Sequence, residues 1–229
     1  MKLTHNIISI LPYKLSLRFK KVNQYEFNNL RDNNSILMHY DNYIVHRLET
    51  RDSEYDSVEI ISNEDIELCS EHLEGLFKDK KFKVLSMGGV DTSRIESIKA
   101  LFSDSEIGTL DLRGFSTAGI KDFSKLLYNS SIDKILGLEE LDTNNAVDMS
   151  MMFYKKESGT FPLDIKNQLK SFNTSKVKNM QQMFYGCKMI NADFSMFDTS
   201  SVEDMSGMFE FGIVEDGSFD VSHFNTSCC

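Results

Sequence analysis

The side chains that most often carry chemistry are scattered. His5, His39, His46, His72 and His223 lie far apart, and no H-E-x-x-H, G-x-S-x-G or G-x-x-x-x-G-K-[ST] pattern occurs. Local spacing therefore assembles neither a nucleophile with its base, nor a zinc helix, nor a phosphate loop, and the chain reads as a non-enzyme with no metal and no cofactor. Cys69, Cys187, Cys228 and Cys229 show no C-x-x-C spacing, which suggests reduced thiols rather than a zinc site or a disulfide framework. Together with the lack of a signal-like start, this points to the cytoplasm. His39 and His46 can face each other across a hairpin, more as paired surface residues than as metal ligands. The Cys228-Cys229 ending is similar to that of prenylated small GTPases, but a repeat that stops part-way explains it equally well.

A sharper possibility is electrostatic. Asp111, Asp193 and Asp220 each stand between two apolar residues, in Leu-Asp-Leu, Ala-Asp-Phe and Phe-Asp-Val. Such alternation sends the carboxylate to the outer face of a strand. Adjacent parallel strands lie about 4.8 Å apart, so Asp193 and Asp220 would be close neighbours whose repulsion a cation or a partner's Arg or Lys would relieve. The plainer alternative is a row of solvated carboxylates. Arg113, Glu139 and His223 flank the same face and complete a candidate partner-binding surface.

The elements that must position these residues come from an internal repeat. FNTSKVKNMQQMFYGC from Phe172 and FDTSSVEDMSGMFEFG from Phe197 share an aromatic residue, Thr-Ser two positions on, then Val, Met and Met-Phe at offsets 5, 8, 11 and 12. Weaker copies begin at Val90, Phe115 and Leu141, a truncated one begins at Phe224, and residues 65–77 keep the apolar half. Offsets 5, 8 and 12 share one face of a 3.6-residue helix, and the Thr-Ser before them supplies capping oxygens. Apolar residues at offsets −5 and −3 (Leu85/Met87, Leu110/Leu112, Leu136/Leu138, Ala192/Phe194, Phe219/Val221) alternate as in a short strand. In the Phe172 copy, Leu163 to Ile165 sit four residues early, so an insertion within 155–171 is expected. The helix-position methionines (Met149, Met152, Met180, Met183, Met205, Met208) suit core packing, with an exposed thioether groove as the alternative.

A strand, a turn, a helix and a return in about 25 residues cannot bury its apolar face alone, but stacked copies can. The expected fold is an α/β solenoid, a stack of short parallel strands and short helices over 65–229. The unit FDTSSVEDMSGMFEFG, preceded by NADFSMF, resembles the BspA-like leucine-rich repeat family, with the same Asp-Thr-Ser, Val, Met, Met-Phe order. That resemblance implies a leucine-rich-repeat solenoid that binds proteins or surfaces.

Residues 1–64 do not fit the repeat. KLSLRFKKV (14–22) alternates like a strand, ILMHY-DN-YIVHRLE (36–49) reads as a hairpin, and SVEIIS (57–62) as a further strand. This is a small, mainly β, α+β N-terminal domain that caps the first turn, binds a partner, or does both. The chain is 229 residues long with net charge −10. Residues 1–64 hold 8 Lys+Arg and 9 Asp+Glu, against 17 and 26 for the rest. An acidic solenoid repels phosphate backbones and suits a partner protein with a basic surface, without nucleic acid or membrane. The expected function is protein recognition. A phage- or mobile-element-encoded inhibitor of a nucleic-acid-handling host defence enzyme, anti-CRISPR-like, and a bacterial surface adhesin lacking its leader are the alternatives.

Overall fold

The computed structural model describes residues 17–21, 36–39, 43–49, 56–62, 70–88, 90, 92–156, 162–217 and 219–227. In the N-terminal part, strands β1 (Leu17–Lys21), β2 (Ile36–His39), β3 (Tyr43–Glu49) and β4 (Asp56–Ser62) form one sheet in the order β1-β4-β3-β2. β2, β3 and β4 run antiparallel in sequence, and β1 joins β4 in parallel. The register sets His39 opposite Ile44 and His46 opposite Ile36, so the two histidines are not a cross-strand pair.

The remainder winds as a parallel β-solenoid. On one wall, β5 (Lys81–Ser86), β6 (Glu106–Asp111) and β7 (Ser131–Leu136) pair in parallel. β8 (Pro162–Asp164), β9 (Lys188–Ile190) and β10 (Ile213–Val214) form a second parallel sheet farther along the stack. Among the described residues, helix is confined to α1 (Ser70–Leu73), α2 (Ile165–Gln168) and a 3-10 turn at Leu138–Glu140. The strands begin well before the expected −5 and −3 positions, although Leu85, Met87, Leu110, Leu112, Leu138, Ala192 and Phe194 are buried as the alternation requires.

Where the repeat's apolar spacing suggested a helix, each coil instead holds turns, which corrects the α/β expectation. Ser97, Asp122, Asp148, Asn179 and Asp204 form a column of parallel bridges joining five successive coils. After each bridge, alternate N–H groups leave the coil. Those of Phe123, Lys125, Leu127 and Asn129 donate to the carbonyls of Asp148, Ser150, Met152 and Tyr154 in the next coil. The corners close by bonds to the third preceding residue, as in Ile120 to Thr117 and Leu126 to Phe123. A continuous helix is further blocked by left-handed residues at repeat offsets 10 and 14, among them Ala100, Asp104, Lys125, Asn129, Gln182 and Gly186. Apolar residues three apart serve three-residue corners as well as a helix face, so the spacing alone was ambiguous.

The Thr of each Thr-Ser does not cap a helix. Thr92, Thr117, Thr143 and Thr174 are buried, and their hydroxyls donate to the carbonyls of Ser116, Asp142, Asn173 and Asp198 one coil on, at 2.6–3.1 Å. Core formation needs the stack as well, because Phe77 lies on Phe102, and Phe153 on Phe184 on Phe209, with parallel rings 5.5–5.9 Å apart. Met149, Met152, Met180, Met183 and Met208 lie in this core, each worth about 1.5–3 kcal/mol when fully buried. A thioether groove is thereby set aside for these five.

The insertion falls within the expected 155–171, at its N-terminal end. A strand starts two residues after Asn129, Gly186 and Phe211, but seven after Lys155. The extra residues thus precede β8, and Leu163 pairs in register with Met189. Residues 157–161 of that segment, like Cys69, Cys228 and Cys229, lie outside the described residues.

Candidate functional site

The six charged candidates fall into two groups. Asp111 does not face solvent: it is 4% exposed, and Arg113 donates from Nε and Nη2 to its two carboxylate oxygens at 2.8 and 2.9 Å. The Arg113 backbone N–H adds a bond of 3.2 Å. Arg113 lies across Gly137 of the next coil, where a Cβ would come within 2.7 Å of Arg113 Cγ. Gly137 therefore serves close approach at this corner. Asp111 and Arg113 form a local ion pair within one coil, with Asp111 buried and the Arg113 side chain half-exposed. Glu139, half-buried, sits in the 3-10 turn and accepts at its backbone carbonyl from the Ser171 hydroxyl.

Asp193 lies three coils farther on, roughly 14 Å at the usual strand spacing, and Asp220 and His223 one coil beyond it. Asp193 is half-buried, whereas Asp220 and His223 are exposed. Each carboxylate accepts the N–H two residues ahead, Ser195 at 3.0 Å and Ser222 at 2.8 Å. The Ser195 hydroxyl and N–H hold Asp193 below the ordinary carboxylate range, aided by the charges of Lys166 and His223. The Ser222 N–H and hydroxyl do the same for Asp220, again with help from His223. Repulsion between the two aspartates does not govern either one, and His223 stands within electrostatic reach of both. The His223 ring shares a hydrogen bond of 3.1 Å with the Phe194 carbonyl.

Two features were not read from the sequence. The first is the bridge column itself: Asp122, Asp148, Asn179 and Asp204 accept from the N–H of Ser124, Ser150, Gln181 and Ser206 at 2.8–3.0 Å. Its signal was present as an Asp or Asn directly before the first Met or Phe of the motif. Beside it run the exposed pairs Lys121–Glu96 and Lys178–Glu203, both at 2.9 Å. The second is an aromatic file. Tyr128, Tyr154 and Tyr185 are half-buried and stack with ring centroids 4.7 and 4.5 Å apart, and Phe211 meets Tyr185 edge-on at 5.2 Å. Lys125 and Lys156 approach the Tyr128 ring at 5.8 and 5.6 Å. Lys156 also pairs with Asp104 at 3.4 Å.

At the break between β7 and β8, a small cleft is lined by Leu127, Ile132, Ile135, Phe153, Lys155 and Cys187, among others. Lys155 donates to the Ser130 carbonyl, and burial pulls its ammonium pKa down. Cys187 donates to the Phe153 carbonyl at 2.8 Å, and burial pushes its thiol up to about 12. Both groups are held by backbone carbonyls, and the Cys187 thiol is a poor nucleophile as it stands. Among the described residues no cluster of three or more His, Cys, Asp and Glu side chains could hold a metal ion, and no helix is long and apolar enough to cross a membrane.

The family described as "Mycoplasma protein of unknown function, DUF285" matches residues 59–163 and 156–228. The chain belongs to this family. No curated protein and no solved structure matches it.

Proposed function

We propose that this DUF285-family solenoid is a non-enzymatic recognition module that binds another protein in the cytoplasm, using one long side of its stack. The observation that carries the reading is the file Tyr128–Tyr154–Tyr185, half-exposed and rigidly stacked across three coils. Tyrosine offers a large amphipathic surface at low entropic cost and is enriched in interface cores. Here the stacking has already fixed each ring before a partner arrives, which lowers the ordering cost of binding.

The partner's chemistry follows from the surface charge. Asp193 and Asp220, with depressed pKa values, stay ionised through the neutral range and suit Lys or Arg on the partner. His223 beside them contributes a ring that can share a hydrogen bond. Asp111 and Arg113 serve the site indirectly, by fixing the corner where their coil meets Glu139. The repeat order of Asp-Thr-Ser, Val, Met and Met-Phe supports a BspA-like relationship within this reading.

Affinity capture with the full chain, compared with Tyr154→Ala and with the double variant Asp193→Lys/Asp220→Lys, tests the proposal. A protein should be retained reproducibly by the parent and lost at least about tenfold with Tyr154→Ala, as for a central aromatic anchor. Retention of the same proteins by all three folded forms would overturn it.

A further inference from the structure

We propose that Tyr154 and Tyr185 are an oxidation site, at which a one-electron oxidant joins the two rings into a dityrosine that staples one coil to the next. A phenoxyl radical carries its spin on the ring carbons ortho to the oxygen, and two such radicals couple through p lobes that stand perpendicular to the ring plane. Rings that meet face to face are therefore placed for coupling, and rings that meet edge-on are not. Tyr154 and Tyr185 lie 9° from parallel, with centroids 4.5 Å apart. Phe211, the next ring, meets Tyr185 at 65° and carries no hydroxyl. Two mobile side chains would have to find this arrangement, whereas here the stacked coils supply it before any oxidant arrives. Both rings are half-buried, so each keeps contact with solvent.

Charge selects this pair over Tyr128–Tyr154, which stacks almost as well at 4.7 Å and 14°. Tyr154 belongs to both pairs, so the surroundings of Tyr128 and Tyr185 decide. Lys125 and Lys156 stand 5.8 and 5.6 Å from the Tyr128 ring, where positive charge opposes the loss of an electron, although Asp104 offsets Lys156 in part. Tyr185 lies instead within electrostatic reach of Glu210, whose negative charge favours that loss. In the reaction each phenol gives up one electron and its O–H proton. The radicals form a carbon–carbon bond between ortho positions, and the hydrogen on each joined carbon then moves to the phenol oxygen, which restores both rings. The pair loses two electrons and two protons in all, and one hydrogen peroxide, acting through a haem or another one-electron catalyst, takes them up as two waters. The new bond closes the stretch from 154 to 185, which contains the insertion, and so removes freedom from the unfolded chain. The staple requires no partner and stands or falls apart from the recognition role.

Brief irradiation of the dilute full chain with a ruthenium tris-bipyridine sensitiser and persulfate, followed by peptide mapping, tests the proposal. This is an outer-sphere one-electron oxidant and needs no binding site. The expected product is a single chain with the blue fluorescence of dityrosine, in which the peptides holding Tyr154 and Tyr185 are joined and lighter by two hydrogens. Tyr185→Phe should abolish that bond, and Tyr128→Phe should leave its yield unchanged. Both variants keep a stacked ring, and circular dichroism checks that both are folded. In urea the same oxidation should spread over the other tyrosines, among them Tyr13, Tyr25, Tyr40, Tyr43 and Tyr55. A yield of the Tyr154–Tyr185 bond no higher folded than in urea overturns the proposal. So does a folded chain that links Tyr128 to Tyr154 in preference, or one whose cross-links run chiefly between copies or among the N-terminal tyrosines.

Discussion

Tyr154 and Tyr185 stack nearly parallel, at 9° with centroids 4.5 Å apart, although they are 31 positions apart in sequence, one coil having absorbed the insertion. The file on which the proposed function rests is thus held by tertiary contacts alone. Removing its middle ring in Tyr154→Ala should cost about 1–3 kcal/mol in lost stacking and burial, since both neighbours lose a partner. Urea denaturation checks this. Tyr154→Phe should retain most of the stability, because stacking uses the ring and not the hydroxyl.

The threonine column should be intolerant of an isosteric apolar change. Thr143 donates to the Asn173 carbonyl at 3.1 Å and accepts the Asn173 N–H at 2.7 Å, so one hydroxyl satisfies two backbone groups of the next coil. Thr143→Val fills the same volume and strands both groups, at an expected cost of about 1–3 kcal/mol. A urea midpoint within error of the parent would show that water or the backbone rescues them.

Two glycines separate backbone strain from steric exclusion. Gly186 and Gly207 have left-handed φ of 65° and 62°. A Cβ on Gly186 collides with the Lys155 carbonyl of the preceding coil, whereas one on Gly207 meets only the movable ends of Gln182 and Glu210 at 3.2 Å. Left-handed strain costs both alanine variants about 1–2 kcal/mol. Gly186→Ala should lose distinctly more than Gly207→Ala in thermal or urea unfolding, because the coil contact there must open.

Stability should fall in acid. Asp198 and Asp204 lie below their ordinary value of 3.8, held there by the hydroxyl and N–H of Ser200 and Ser206. Asp104 is lowered too: burial opposes this, but hydrogen bonds from Asn129 and Ser103 and the charge of Lys156 prevail. A depressed folded pKa gives stability that is complete above the unfolded value and is lost as pH falls from there through the folded values. Unfolding midpoints should therefore be flat at neutral pH and drop below about 4. Asp204→Asn keeps the acceptor, as Asn179 does naturally at the equivalent site, and should soften that drop without lowering neutral stability.

Cys187 should resist alkylation in the folded chain. Its thiol is buried and pushed up to about 12. Iodoacetamide at pH 8 followed by peptide mapping should leave Cys187 unmodified until urea unfolds the protein, and rapid native labelling would contradict the burial described.

The sequence by itself determined the repeat, its coil length and which residues lie inside, because burial of a stacked unit imposes the same apolar positions on every copy. Phe172, Phe197, Val177 and Val202 were legible as core for that reason, and so were the strands of the N-terminal sheet from their alternation. Tertiary structure alone decided what backbone joins those positions. Offsets 5, 8 and 11 fit a helix face and a run of three-residue corners equally, and the choice went to corners because N–H groups such as that of Phe123 bond between coils, where each rung reinforces the next. The same bonds converted the Thr-Ser signal from a helix cap into an inter-coil column. Of the candidate site, the exposed Asp220 and His223 kept their expected surface character, while Asp111 went inward because Arg113, two residues away, could satisfy both its oxygens across Gly137. The tyrosine file stayed hidden for a related reason: unequal coil lengths put its members at irregular spacings, and only stacking brings them into line.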